Sequence, residues 1–209
     1  MTLEFFPYPL LIGIVILIVI LAILWSRKHR LSYLFCFSVF WIYVLLVVNV
    51  TLFPMPIPGN GGEMESRQSV IYILSHVNLI PFYYGEYSNL GPFYVFLREI
   101  VANIVLTAPF GFGISFIVRF KARNVFYLAV AVGVVIETTQ LVLSVVLGSA
   151  YRGVDINDVL MNAIGVLIGY GFFRVFSWLY VSITERVKIE LKGLFAYVYT
   201  VANGGQRPK

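Results

Sequence analysis

The stretch "PLLIGIVILIVILAILWSRKHR" (residues 9–30) runs seventeen residues without a polar side chain and then sets Arg27, Lys28, His29 and Arg30 side by side. A hydrocarbon core about 30 Å thick takes roughly 20 apolar residues in a helix. Residues 9–25 are therefore a membrane span, short but uninterrupted. The order of charge decides what kind. A secretory signal carries its basic residues ahead of the apolar run; here Glu4 precedes it and the cluster follows. The segment reads as a retained span that starts outside the cell.

The rest of the chain agrees. Its 209 residues are 60% hydrophobic and 12% charged, where a soluble domain is about 45–50% apolar and about 25% charged. Four more stretches are long and apolar enough to span: about 33–53, 100–118, 125–147 and 156–177. The expected fold is an all-α polytopic membrane protein of about five transmembrane helices, in the cell membrane. The net charge of +5 sits in short clusters between apolar runs, which is topology information and argues against a nucleic-acid surface. A single cysteine, Cys36, allows no intrachain disulfide.

Lys and Arg favour the cytoplasmic side. The cluster 26–30, the cluster 119–123 and the tail with Arg186, Lys188, Lys192, Arg207 and Lys209 fall on one side of a five-span chain. The other side receives Arg67, Arg98 and Arg152 with most of the acids. The N-terminus is thus expected outside and the C-terminus in the cytoplasm. Residues 1–181 form the transmembrane domain, and 182–209 a basic amphipathic tail suited to the anionic inner leaflet. In the long external loop, 54–66 is a Pro/Gly turn region. The aromatic stretch "SVIYILSHVNLIPFYYGEY" (69–87) is too short to span and reads as an interfacial or re-entrant segment.

Against this oily background stands "ETTQLVLSVVLGSAYRGVDINDVLMNAIGVLIG" (137–169). At 100° per residue, Asp155, Asp158, Asn162, Gly165 and Gly169 share one helix stripe about 80° wide. Its upper part is polar, and its glycines admit a neighbouring helix at close range. Glu137 and Gln140 share a face of the preceding span, with Glu137 roughly 15 Å below its outer end. A carboxylate at such depth costs a few kcal/mol unless compensated. The third span adds Asn103, Thr107 and Gly111 on one stripe, Pro109 as a kink site, and Arg98 and Glu99 at its outer end. Together the three helices frame an outward-opening polar pocket, with His76, Asn78 or Tyr83 as its roof.

Plainer roles stand beside this reading. Asp155 is a ready N-cap and Asp158 a first-turn acid facing the helix dipole. Arg152 is placed to neutralise them, Asn103 and Asn162 to bridge helices, and Glu137 to form a structural ion pair. Asp155, Asp158, Glu137 and His76 are chemically competent metal ligands, but two acids three residues apart make no metal motif. Neither a metal nor a cofactor is expected. His76 has no nucleophile partner for a serine–histidine mechanism, and "GVLIG" follows no strand that would make it a phosphate loop.

"NLIPF" (78–82), "NIVLTAPFGFG" (103–113), "ETTQ" (137–140) and "RGVDINDVLMNAIG" (152–165) together resemble the VanZ-like family of bacterial membrane proteins, over about residues 47–170. Thr107–Ala108 departs from the pattern, which has a larger apolar residue before the proline. The resemblance implies a cell-envelope protein, mainly of Gram-positive bacteria, related to teicoplanin-type glycopeptide resistance. Such drugs bind the D-Ala-D-Ala ends of peptidoglycan precursors and hold the outer leaflet by a lipid tail.

Three functions follow as expectations. One is a non-catalytic factor whose pocket, built from Asn78, Arg98, Asn103, Glu137, Gln140, Arg152, Asp155, Asp158 and Asn162, binds a membrane lipid, a lipid-linked peptidoglycan precursor or the lipoglycopeptide drug. The second is an intramembrane enzyme acting on such a precursor or drug, with Glu137 as acid or base, Asp158 as its partner and Arg152 or Arg98 as an anion clamp. A small transporter is third; five spans with no inverted repeat would need a homodimer to supply a path.

Overall fold

A computed structural model describes residues 2–56, 68–83, 90–188 and 190–206, with the backbone alone for 90–96. Arg67, most of the Pro/Gly turn region, the end of the aromatic segment and the basic Arg207 and Lys209 lie outside the described residues.

Five helices are long and apolar enough to cross a membrane. They are α1 (Tyr8–Ser26), α2 (Leu31–Leu52), α4 (Leu90–Gly113, its apolar window running on through the 3-10 turn Ile114–Phe116), α5 (Ala122–Leu147) and α6 (Ile156–Val187). Among the described residues two shorter α-helices accompany them: α3 (Val70–Ser75) and α7 (Gly193–Ala202). The chain is a multi-pass membrane protein, and the spans lie where hydropathy puts them. α4 starts at Leu90, earlier than the apolar run alone suggests, and passes through Pro109 without interruption. Nearby, the Tyr43 hydroxyl donates to the Leu106 carbonyl at 2.6 Å.

α6 is the hub, packed between α4 and α5. The reason is backbone contact. A Cβ on Gly169 would meet the Ala108 carbonyl, one on Gly111 the Val166 carbonyl, and one on Gly133 the Val159 carbonyl, all well inside 3.0 Å. Here the departure at Thr107–Ala108 finds its explanation. Gly169 packs against the Ala108 backbone, and the Thr107 hydroxyl bonds the Asn162 carbonyl at 2.8 Å. A larger apolar residue at 107 would lose that bond. α1 sits at the periphery, held to α2 by Leu45 over Gly13 and by the Trp41 indole donating to the Gly13 carbonyl.

The two ends of the bundle differ. At one end the residue 26–30 turn, the 3-10 turn and α7 converge. His29 stacks on Tyr33, and the Tyr197 hydroxyl donates to the Phe116 carbonyl. The chain from Ser182 is not one free amphipathic helix. α6 continues to Val187, Lys188 turns left-handed at φ 55°, and α7 folds back, with Tyr199 donating to Glu185 at 2.9 Å. Glycine at 193, itself at φ 59°, lets the chain re-enter helix after that turn. The other end holds the α5–α6 connection and the strands. β1 (Thr2–Leu3) pairs antiparallel with β2 (Met55–Pro56), and β3 (Val77–Asn78) pairs in parallel with β4 (Val154–Asp155).

Candidate functional site

The β3–β4 pairing is what builds the niche. It carries residues 77–83 of the aromatic segment down onto the start of α6, so irregular backbone reaches the level of Glu137. Such backbone is tolerated at membrane depth only where protein or a polar cavity receives it. Asp155 is the N-cap of α6, accepting from the Asn157 N–H at 2.7 Å. The capping reading is correct, yet it does not exhaust the residue. Both Asp155 carboxylate oxygens also accept from the Asn78 side-chain amide at 3.1 Å.

Glu137, only 5% exposed, takes the Asp155 backbone N–H on Oε2 at 3.1 Å. Asp158 takes the Asn103 amide on Oδ1 at 2.6 Å. Three carboxyl groups from α5 and the start of α6 are thereby gathered around the Asp155 amide and the Asn78 and Asn103 side chains. Every donor they meet is a neutral amide. Among the described residues the one salt bridge joins Lys192 and Glu190, exposed near α7. No three His, Cys, Asp or Glu side chains converge as metal ligands among those residues.

The remaining candidates divide. Gln140 is buried one turn along α5 and donates to the Thr51 carbonyl at 2.9 Å, tying α5 to the end of α2. Asn162 is 1% exposed, and its Oδ1 has no partner. Arg152 does not neutralise the acids: its guanidinium donates to the Phe53 carbonyl at 2.7 Å and to Val50 at 3.4 Å, at the C-terminal end of α2. Helix ends expose carbonyls that cations satisfy, which accounts for the choice. Arg98 is exposed on α4. His76 bonds the Tyr72 carbonyl of its own turn through Nδ1. Of the proposed roof residues, Asn78 acts through its side chain and Tyr83 through its carbonyl, which accepts from Asn78 at 3.0 Å.

One residue escaped the sequence reading. Asn157, 2% exposed, accepts from the Phe82 N–H at 2.7 Å and donates to the Tyr83 carbonyl at 3.2 Å. It clips the backbone of residues 82–83 to α6. The signal available was a third polar residue in "DIND", off the shared stripe.

Beside the niche lies a cleft of about 180 Å³, lined by Val77 and Leu79, by Val134, Thr138 and Leu141 of α5, by Val154, and by Ile156 and Val159 of α6. Glu137, Asp155 and the Thr138 hydroxyl are its polar side-chain groups. Leu79, Val134 and Thr138 are exposed on the bundle's flank, so the cleft opens sideways, where hydrocarbon would be. An apolar hollow with a few convergent polar groups is the usual form of a small-molecule site.

A family model described as VanZ/LLP1 matches residues 40–177. That stretch begins in α2 and takes in the aromatic segment, α4, α5 and most of α6, and so every residue of the niche. No curated protein and no solved structure matches the chain.

Proposed function

Since the chain belongs to the VanZ-like family, we propose that it works in the bacterial cell membrane as a non-catalytic envelope factor and contributes to resistance against teicoplanin-type lipoglycopeptides. In this reading the niche end faces outward and the basic end the cytoplasm, as the Lys/Arg bias requires. The cleft takes the hydrocarbon part of an outer-leaflet amphiphile, and the carboxyl cluster takes its polar group. Drugs that hold the membrane by a lipid tail then meet a surface whose amphiphiles are already engaged.

One observation carries this reading. Glu137 is buried, has no cationic partner among the described residues, and lines an apolar cleft that opens on the flank of the bundle. A carboxyl kept only for architecture would sit against a cation or be replaced by an apolar residue, because an uncompensated acid in a membrane is costly. A carboxyl aimed into an accessible apolar hollow instead suits an exchangeable partner.

Filling the hollow tests it. Val134→Trp lies on the flank and bears none of the niche's hydrogen bonds. Expressed in a teicoplanin-sensitive host, the wild-type chain is expected to raise the inhibitory concentration, and Val134→Trp to return it to the empty-vector level at equal membrane abundance. Native mass spectrometry of the purified proteins reads binding directly, with a retained amphiphile on the wild type and none on the variant. Equal protection and equal occupancy in the two proteins would refute the reading.

A further inference from the structure

The niche has a chemical bias that the cleft alone does not explain. Its carboxyl oxygens are acceptors, and the one hydroxyl that lines the cleft, Thr138, is exposed on the flank. Glu137 uses Oε2 for the Asp155 amide, and its Oε1 has no partner among the described residues while the side chain lines the cleft. Asp158 uses Oδ1 for Asn103, leaving Oδ2 without a partner there. One turn along the same stripe, Asn162 Oδ1 is a further acceptor, buried and unpartnered. The amides that face the carboxyl groups are already committed, Asn78 to Asp155 and Tyr83, and Asn103 to Asp158. Cations of the same end are committed too or lie outside: Arg152 sits on the carbonyls of α2, and Arg98 is exposed. An anionic headgroup would meet carboxylates with no guanidinium or ammonium among the described residues to hold it. A group rich in donors and positively charged meets what the niche lacks.

We propose that the occupant is a membrane lipid headed by a primary ammonium. Its acyl chain lies along Val134, Leu141 and Val159, and its ammonium donates to the free Glu137 oxygen. This rests on the amphiphile-binding reading above and specifies its ligand class. A primary ammonium has three N–H donors, and bonds between ionised partners are about twice as strong as neutral ones.

The test uses the full chain, delipidated in detergent and re-exposed to three lipids with identical acyl chains: phosphatidylethanolamine, phosphatidylcholine and phosphatidylglycerol. Retained lipid is counted by native mass spectrometry, with Glu137→Gln and Val134→Trp in parallel and melting temperature as the control for folding. Phosphatidylethanolamine is expected to be retained about tenfold over phosphatidylglycerol, a margin of about 1.4 kcal/mol. That preference should vanish in Glu137→Gln while retention itself persists. Should Glu137→Gln fail to fold, Glu137→Met, of similar volume and without the carboxyl, replaces it with the same expected loss of preference.

Equal retention of all three lipids, abolished by Val134→Trp, would overturn the ammonium assignment and leave the cleft reading standing. Equal retention of the choline and ethanolamine lipids would also overturn it, because a quaternary ammonium donates no hydrogen bond. Retention of a lipoglycopeptide added as competitor, with no lipid preference, would overturn it in favour of the drug. Retention that Val134→Trp does not alter would remove the cleft reading as well.

Discussion

Asp158 and Asn103 meet across the α4–α6 interface at 2.6 Å, and neither is replaceable by a residue of the same shape without loss. Asn103→Ala removes the donor and leaves a carboxyl in a sheltered place, a change that costs about 1–3 kcal/mol when the group is buried. Asn103→Asp adds like charge to three existing acids and is expected to cost more. Thermal unfolding in detergent should rank wild type above Asn103→Ala above Asn103→Asp; a variant as stable as the wild type would show the bond to be dispensable. At this scale the sequence was readable where a helix repeats. Asp155, Asp158, Asn162 and Gly165 announce themselves by the 100° step. Asn157 does not, because its partner is a re-entrant loop rather than a neighbouring helix, and no period marks that side. Arg152 misled for a related reason. Its charge suggests the acids nearby in sequence, but an irregular loop gives no direction, and the carbonyl end of α2 takes the guanidinium.

Among elements, α6 makes the sharpest demand. Gly169 and Gly171 are two residues apart on it, yet a Cβ on the first would collide with the α4 backbone, while one on the second meets nothing within 4 Å. Gly169→Leu must push α4 away. Overpacking costs about 1–3 kcal/mol where side chains can shift, and here the obstacle is backbone, so loss of folded protein is expected. Gly171→Leu should lie within about 0.5 kcal/mol of wild type. Size-exclusion profiles and melting curves of the pair give the comparison, and equal behaviour would place the contact elsewhere. The spans themselves were plain from length and apolarity. The division of the tail was not: a basic amphipathic pattern from Ser182 looks continuous, and only the left-handed turn at Lys188 shows the reversal into α7.

For the molecule as a whole, the two ends carry unlike chemistry, and the charge bias gives them sides. With Cys36 replaced by serine, a cysteine at Ser149 is expected to react with a membrane-impermeant maleimide in intact cells, and one at Lys188 only after permeabilisation. The reverse pattern would invert the chain and move the niche to the cytoplasmic side. The parallel pairing of Val77–Asn78 with Val154–Asp155 has a further consequence. Translation runs from the N-terminus, so Glu137 leaves the ribosome before Asp155 and the amide that will hold it. α5 reaching the bilayer alone would carry an orphaned acid into oil. The connection between α5 and α6 is short, residues 148–155, which lets the two helices enter the translocon's lateral gate as a hairpin and conceal the acid between them. Assembly then closes from the C-terminal side. Asn78, made before either helix, gains its Asp155 partner only after both α5 and the connection have followed it.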